Sequence, residues 1–166
     1  MIYFTSDTHF GHANIIKYCN RPFSCIETMT ECMLKGINDV VKEDDTLYHL
    51  WDFAWRETAK EIRDQIKCRD MHLIWGNHDK ANIADLFSSN HKLLELAIEG
   101  QEIVLCHYPM HAWNRSHYGS WNLFGHVHGT LDGFLNGKSL DVGVDSHNFK
   151  PWSFEQLKEK FNEIKM

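Results

Sequence analysis

Apolar, β-prone residues come in short bursts along the chain, at 2–4, 47–50, 72–75 and 103–106, and each burst runs into a polar cluster. The clusters are Asp7-Thr8-His9, Asp52, Gly76-Asn77-His78-Asp79 and His107; a fifth, Gly125-His126-Val127-His128, follows another strand-like stretch at 121–124. Runs of this length and composition read as strands, so each cluster is expected at a strand's exit. In sheet-based folds, ligands collect beyond the carboxyl ends of strands. The separated clusters are therefore expected to converge on one rim.

Between the bursts the spacing becomes helical. Over 26–42, Ile26, Met29, Met33, Ile37, Val40 and Val41 recur every three or four positions, as one buried helix face requires. Segment 57–67 repeats this with Ala59, Ile62 and Ile66, while Glu57, Lys60, Arg63 and Asp64 form a solvated face. Segments 11–19 and 81–88 also read as helices. Beyond residue 90 the pattern turns to β, with 92–98 and 102–106 flanking Glu99-Gly100-Gln101, a hairpin connection, and a later strand near 139–144. Ser153 is an N-cap with Gln156 at the capping-box position, opening a last helix over 154–164. The alternation predicts a single α/β domain over residues 1–166, two sheets packed face to face with helices outside.

A chain of 166 residues with 43% hydrophobic and 24% charged residues has the balance of a soluble globular protein. The opening residues lack a basic segment followed by a long apolar core, and no window approaches a membrane-spanning length. We therefore expect no membrane association and a cytoplasmic location. Cys19, Cys25, Cys32, Cys68 and Cys106 form an odd set without CxxC spacing, which argues for free thiols. The formal net charge of −6 gives no global basic field, so no extended nucleic-acid surface is expected. It does not exclude an anionic substrate, because two divalent cations would add about four positive charges locally.

Asp7 and His9 stand at i and i+2, which in an extended segment puts carboxylate and imidazole on one side; His126 and His128 share that parity. Oxygen and nitrogen donors without thiolates suit manganese, iron, zinc or nickel better than calcium. The isolated histidines His49, His72, His91, His117 and His147 read as ordinary surface or core residues.

The ordered series Asp7-x-His9, Asp52, Gly76-Asn77-His78-Asp79, His107 and Gly125-His126-x-His128 resembles the calcineurin-like metallophosphoesterase family, in a small bacterial or phage-type form. His9-Phe10-Gly11-His12-x-Asn14-Ile15-Ile16, His107-Tyr108-Pro109 and Asp141-Val142-Gly143-Val144-Asp145 are similar to the same subgroup. The resemblance implies a four-layer αββα fold, a two-sheet β-sandwich flanked by helices. It also implies a binuclear metal centre. Asp7, His9 and His128 would hold one divalent ion, Asn77, His107 and His126 the other, and Asp52 would bridge them. Manganese is the first expectation, with iron, zinc, nickel or magnesium as alternatives.

The activity implied is hydrolysis of a phosphomonoester or phosphodiester, a small molecule or nucleotide, by attack of a metal-bridging hydroxide. His78 would be the general acid, with Asp79 or a backbone carbonyl orienting its ring. Substrate contacts are expected at Asn77, His78, His12, Trp51 and Arg115. Two departures stand out. Trp51 occupies the position before the bridging aspartate where the family usually has glycine, so its indole either shifts the loop or roofs the site. Phe53, Ala54 and Trp55 follow Asp52 in place of a further aspartate. The alternatives are a non-catalytic metal-binding scaffold on the same fold and a nuclease acting on short oligonucleotides.

Overall fold

The apolar bursts become strands in a computed structural model that describes residues 1–55, 57–76, 81–131 and 137–163. In chain order the strands are β1 (Ile2–Thr5), β2 (Thr46–His49), β3 (Asp70–Ile74), β4 (Ser89–His91), β5 (Leu93–Ile98), β6 (Gln101–Cys106), β7 (Trp121–Phe124), β8 (Ser139–Asp141) and β9 (Trp152–Ser153). The helices are α1 (Ile15–Tyr18), α2 (Ile26–Val40), α3 (Ala59–Gln65) and α4 (Phe154–Glu163). One sheet has the order β4-β3-β2-β1-β9 and the other β5-β6-β7-β8. Both are mixed: β9 is antiparallel to β1, and β5 is antiparallel to β6, while the other pairings are parallel.

Register levels the strand exits. Thr5 lies beside His49 and His49 beside Leu73, so the three chains leave the first sheet at one height. The side-chain period of two then divides the core. Tyr3, Leu47, Met71 and Leu73 pack with Met29, Met33 and Ile37 of α2 and with Ala59 and Ile62 of α3. On the opposite face, Phe4 packs in a second cluster with Ile103, Leu105, Trp121 and Leu123 of the other sheet. Leu157 and Phe161 of α4 join that inter-sheet cluster. Ser6 bridges Gly143, which ties the exit of β1 to the segment after β8 and brings the two rims together.

This is a mixed α/β sandwich, and it differs locally from the expectation. An outer helix layer over the second sheet is not found among the described residues. That face carries Asn122, fully buried, which accepts from Met110 N–H at 3.4 Å and from Ser139 Oγ at 3.1 Å. The helix expected at 81–88 is a 3-10 turn, Ala81–Leu86. It stops because Ser88 N–H donates to Met71 O at 2.7 Å, drawing the chain into the sheet as β4. The first helix is shorter than 11–19, since Gly11 takes φ 80° and cannot start it. The strand expected over 139–144 ends at Asp141, because Gly143 bridges Ser6 and a 3-10 turn over Val144–Ser146 follows. The expected hairpin forms on Glu99 (φ 51°) and Gly100 (φ 84°), and Ser153 and Gln156 make both bonds of the capping box, at 2.9 and 3.2 Å.

Candidate metal centre

Beyond the strand ends, the loops after β1 and β2 stay laced together. Leu50 N–H donates to Thr5 O at 2.7 Å, Asp7 N–H to Trp51 O at 2.9 Å, His9 N–H to Asp52 O at 2.8 Å and Phe10 N–H to Phe53 O at 3.0 Å. This ladder turns sharply. Asp7, His9, Trp51, Asp52, His126 and His128 all have left-handed φ, between 48° and 81°. Side chains also crowd the backbone closely: a Cβ on Gly125 would lie 2.0 Å from Ser6 Oγ and 2.3 Å from Asp7 Oδ2, which excludes any larger residue there.

The result is a cluster of carboxylates and imidazoles. Ligand atoms of Asp7, His9 and His128 lie within 4.8 Å of one another, as do those of Asp7, Asp52 and His107. Asp52 Oδ2 stands 3.5 Å from His9 Nε2 and 4.0 Å from His107 Nε2, so one carboxylate oxygen sits between the two imidazoles. His126 donates its backbone N–H to Asp7 Oδ2 at 2.9 Å, and its ring centroid lies 4.9 Å from that of His107 on the exposed side.

A second layer of bonds aims these side chains. His107 Nδ1 lies 3.0 Å from Leu50 O, so that nitrogen carries the proton and Nε2 is left as the lone-pair donor. His128 Nδ1 lies 2.7 Å from Asp145 Oδ2. Arg21 holds Asp145 in turn with Nε on Oδ1 at 2.7 Å and Nη2 on Oδ2 at 2.8 Å, and the same Nη2 donates to Asp7 O at 2.6 Å. Arg21 and Asp145 thus brace the cluster from behind, though neither was assigned a role from the sequence.

Burial dominates the electrostatics. It pushes the Asp7 carboxyl up to about 7, against the opposing pull of His128, and drives His9 down to about 2, so this imidazole is neutral at ordinary pH. For His128, burial favours the neutral ring, but the Asp145 hydrogen bond and the charge of Asp7 outweigh it and raise the pKa. Asp145 is lowered: the bonds from His128 and Arg21 overcome its burial.

The donor set passes a direct test of fit. Asp7 Oδ1 and His9 Nε2 are buried, lack a hydrogen-bond partner among the described residues, and lie 4.0 Å apart. An unsatisfied carboxylate oxygen in such a place costs several kcal/mol, and a cation is the partner that carboxylate and neutral imidazole share. Cys19 also comes near His128 and Asp145. Burial and Asp145 push its thiol up to about 11, and Asp145 is already committed to Arg21.

The structure brings together Asp7, His9, Asp52, His107, His126 and His128. Asn77, His78 and Asp79 lie outside the described residues. His12 stands beside the cluster, its ring centroid 5.6 Å from that of His9. Two residues expected to contact substrate have packing or ion-pair partners within the protein. Trp51 is fully buried, tilted against Trp75 at 5.0 Å with its indole over Gly76, whose hypothetical Cβ would lie 2.2 Å from Cδ1. It packs in the core, and the same Cβ would lie 2.6 Å from His107 Cδ2. Arg115 pairs with Glu102 at 3.4 Å. Glu102 is the second residue of β6 while His107 follows its last, so about 17 Å of strand separates Arg115's partner from the rim.

Fold and rim together define an α/β sandwich protein whose aspartate and histidine side chains can hold metal. The chain is 38% identical to the uncharacterized protein MJ1445 of Methanocaldococcus jannaschii over 164 residues, covering 94% of this chain and 88% of that one, and it belongs to the same family. No family model matches it. The crystal structure of AQ665 from Aquifex aeolicus, a protein of unknown function, superposes with a TM-score of 0.80 at 26% identity, over 96% of this chain and 98% of that chain. A structure described as a novel archaeal phosphodiesterase gives a TM-score of 0.43 at 19% identity, over 76% of this chain and 73% of that chain, too distant to carry an argument. No helix among the described residues is long and apolar enough to cross a membrane.

Proposed function

We propose that the chain is a metal-dependent phosphoesterase that works with two divalent cations. The observation that carries this reading is the position of Asp52 Oδ2, between His9 Nε2 and His107 Nε2 at 3.5 and 4.0 Å. Asp7, His9 and His128 would hold one cation, Asn77, His107 and His126 the other, and Asp52 both. Such a pair, when bound, supplies a water of lowered pKa and neutralises charge on the phosphoryl group.

The chain's own residues do the rest. Asp7 and Asp52 provide buried negative charge, and Leu50 O and Asp145 hold the Nδ1 protons of His107 and His128 so that each Nε2 faces inward. His78 is assigned, on its sequence context, to protonate the departing oxygen. Manganese is the first choice of metal for this donor set, and a nucleotide-derived ester the first choice of substrate.

Turnover of p-nitrophenyl phosphate and bis(p-nitrophenyl) phosphate by protein loaded with manganese, then stripped with chelator, tests the reading. Activity should vanish on stripping and return with manganese. Full activity in stripped protein would overturn the metal role. Two bound metals with no turnover of any phosphoester would favour a metal-binding scaffold instead.

A further inference from the structure

Two of the most exposed large aromatic side chains stand in one row with a histidine of the metal centre. Tyr18 is 74% exposed and Trp55 54% exposed. Both rings lie against His12, with centroids 6.2 and 5.0 Å from its own, and the His12 centroid is 5.6 Å from that of His9. Large exposed rings grouped beside a polar centre mark binding surfaces more often than chance does.

The row is built firmly. Trp55 N–H donates to Phe10 O at 2.6 Å, extending the ladder that joins the loops after β1 and β2, and Thr58 Oγ1 donates to Trp55 O at 2.9 Å. Gly11, at φ 80°, brings its backbone against the root of the Trp55 side chain: a Cβ there would lie 3.1 Å from Trp55 Cβ and 2.7 Å from Thr58 Oγ1. Tyr18 closes the last turn of α1, its N–H on Asn14 O at 3.0 Å. The backbone that carries the rings is therefore fixed before any ligand arrives, which lowers the ordering cost of binding.

We propose that this wall stacks the base of a nucleoside attached to the phosphoryl group, making Trp55 and Tyr18 specificity-determining residues for nucleotide-type esters. The proposal deepens the phosphoesterase reading and rests on it. The chemistry selects a flat group, because stacking on aromatic faces rewards any π-surface and the Trp55 and Tyr18 rings are uncharged. Spacing selects a nucleoside over a simple aryl ester. The wall begins one ring beyond His9, so its ligand must be separated from phosphorus by a spacer the size of a sugar, whereas an aryl ring sits directly on the ester oxygen.

The test compares two diesters with the same leaving group, thymidine 5′-(p-nitrophenyl phosphate) and methyl p-nitrophenyl phosphate, on manganese-loaded full-length protein. Base stacking contributes about 1–3 kcal/mol, so kcat/KM should favour the thymidine ester by roughly 5- to 150-fold. That ratio should collapse in Trp55→Ala, survive in part in Trp55→Phe, and stay as in the wild type in Tyr118→Ala, an exposed tyrosine outside the wall. An unchanged ratio in Trp55→Ala, or no preference in the wild type, overturns the proposal. So does a concentration-dependent dimer that Trp55→Ala breaks while the ratio holds, since the wall would then pack on a second copy. If neither diester is hydrolysed, the phosphoesterase reading fails separately. Binding of thymidine 5′-monophosphate then decides the wall: loss in Trp55→Ala supports stacking, and binding indifferent to Trp55, or none, overturns it.

Discussion

Acid should destabilise this protein through one histidine behind the metal centre. His49 is fully buried, its Nε2 3.0 Å from Thr8 Oγ1, and Thr8 spends its single proton on Phe53 O at 2.7 Å. His49 must therefore donate from Nε2, which leaves Nδ1 the unprotonated nitrogen, buried and without a partner among the described residues. Protonation would add both a charge and an N–H with nowhere to go. Burial, and then the neighbouring His107, lowers its pKa from 6.5 to about 3. Because the folded pKa lies below the unfolded one, the stabilisation is whole above about pH 6.5 and is lost as pH falls towards 3.

Between pH 7 and pH 5 the linkage integral gives about 2 kcal/mol, rising to a ceiling of roughly 5 kcal/mol below pH 3. Urea unfolding of chelated protein measures it. With m near 2 kcal/mol/M, the midpoint of the wild type should drop by about 1 M more than that of His49→Gln, which keeps a donor for Thr8 but does not titrate. Equal pH slopes in the two proteins would refute the assignment of a neutral His49.

Three further outcomes follow from the same geometry. Asp145→Asn leaves Arg21 buried without its counter-charge and His128 without its orienting carboxylate, so unfolding free energy should fall by about 3–5 kcal/mol and manganese affinity by roughly 10- to 100-fold, read by denaturation and titration calorimetry. Trp51→Ala should cost about 3–5 kcal/mol in the same denaturation assay and leave the relative rates on small and bulky phosphodiesters unchanged, since the indole fills core. His78→Ala should slow alkyl phosphoesters by about 10²- to 10⁴-fold and nitrophenyl esters less, because nitrophenolate departs without a proton; equal losses in paired kinetics would remove the general-acid role.

The strand exits could be read in advance because both signals are local: an apolar run of four or so residues, then a ligand-type residue within two or three positions. Parallel register levelled Asp7 with Asp52, and the packing of the second sheet on the first, tied by Ser6 and Gly143, brought His107 to them. What escaped was long-range. Arg21 and Asp145 are 124 residues apart; Arg21 has an unremarkable local context, Asp145 ends a stretch to which no role was attached, and only the folded chain shows that they brace His128. β9 has two residues, too short for any periodicity. Trp51 looked like a lid because its sequence neighbour is a ligand, yet the left-handed turn at φ 81° swings the indole inward over Gly76. That turn is also a physical reason why glycine suits the position.

Six left-handed, non-glycine residues within one small site amount to a standing debt of fold stability. Each such backbone costs of order 1–3 kcal/mol unless its surroundings impose it. Asp and His tolerate the conformation better than tryptophan does, so the heaviest share falls on Trp51. Natural proteins sit just above a stability threshold. A descendant of this chain that no longer needed a metal would gain robustness by exchanging these aspartates and histidines for glycine or asparagine, and drift would take it there. Their presence in this sequence therefore marks a constraint that folding alone would not maintain.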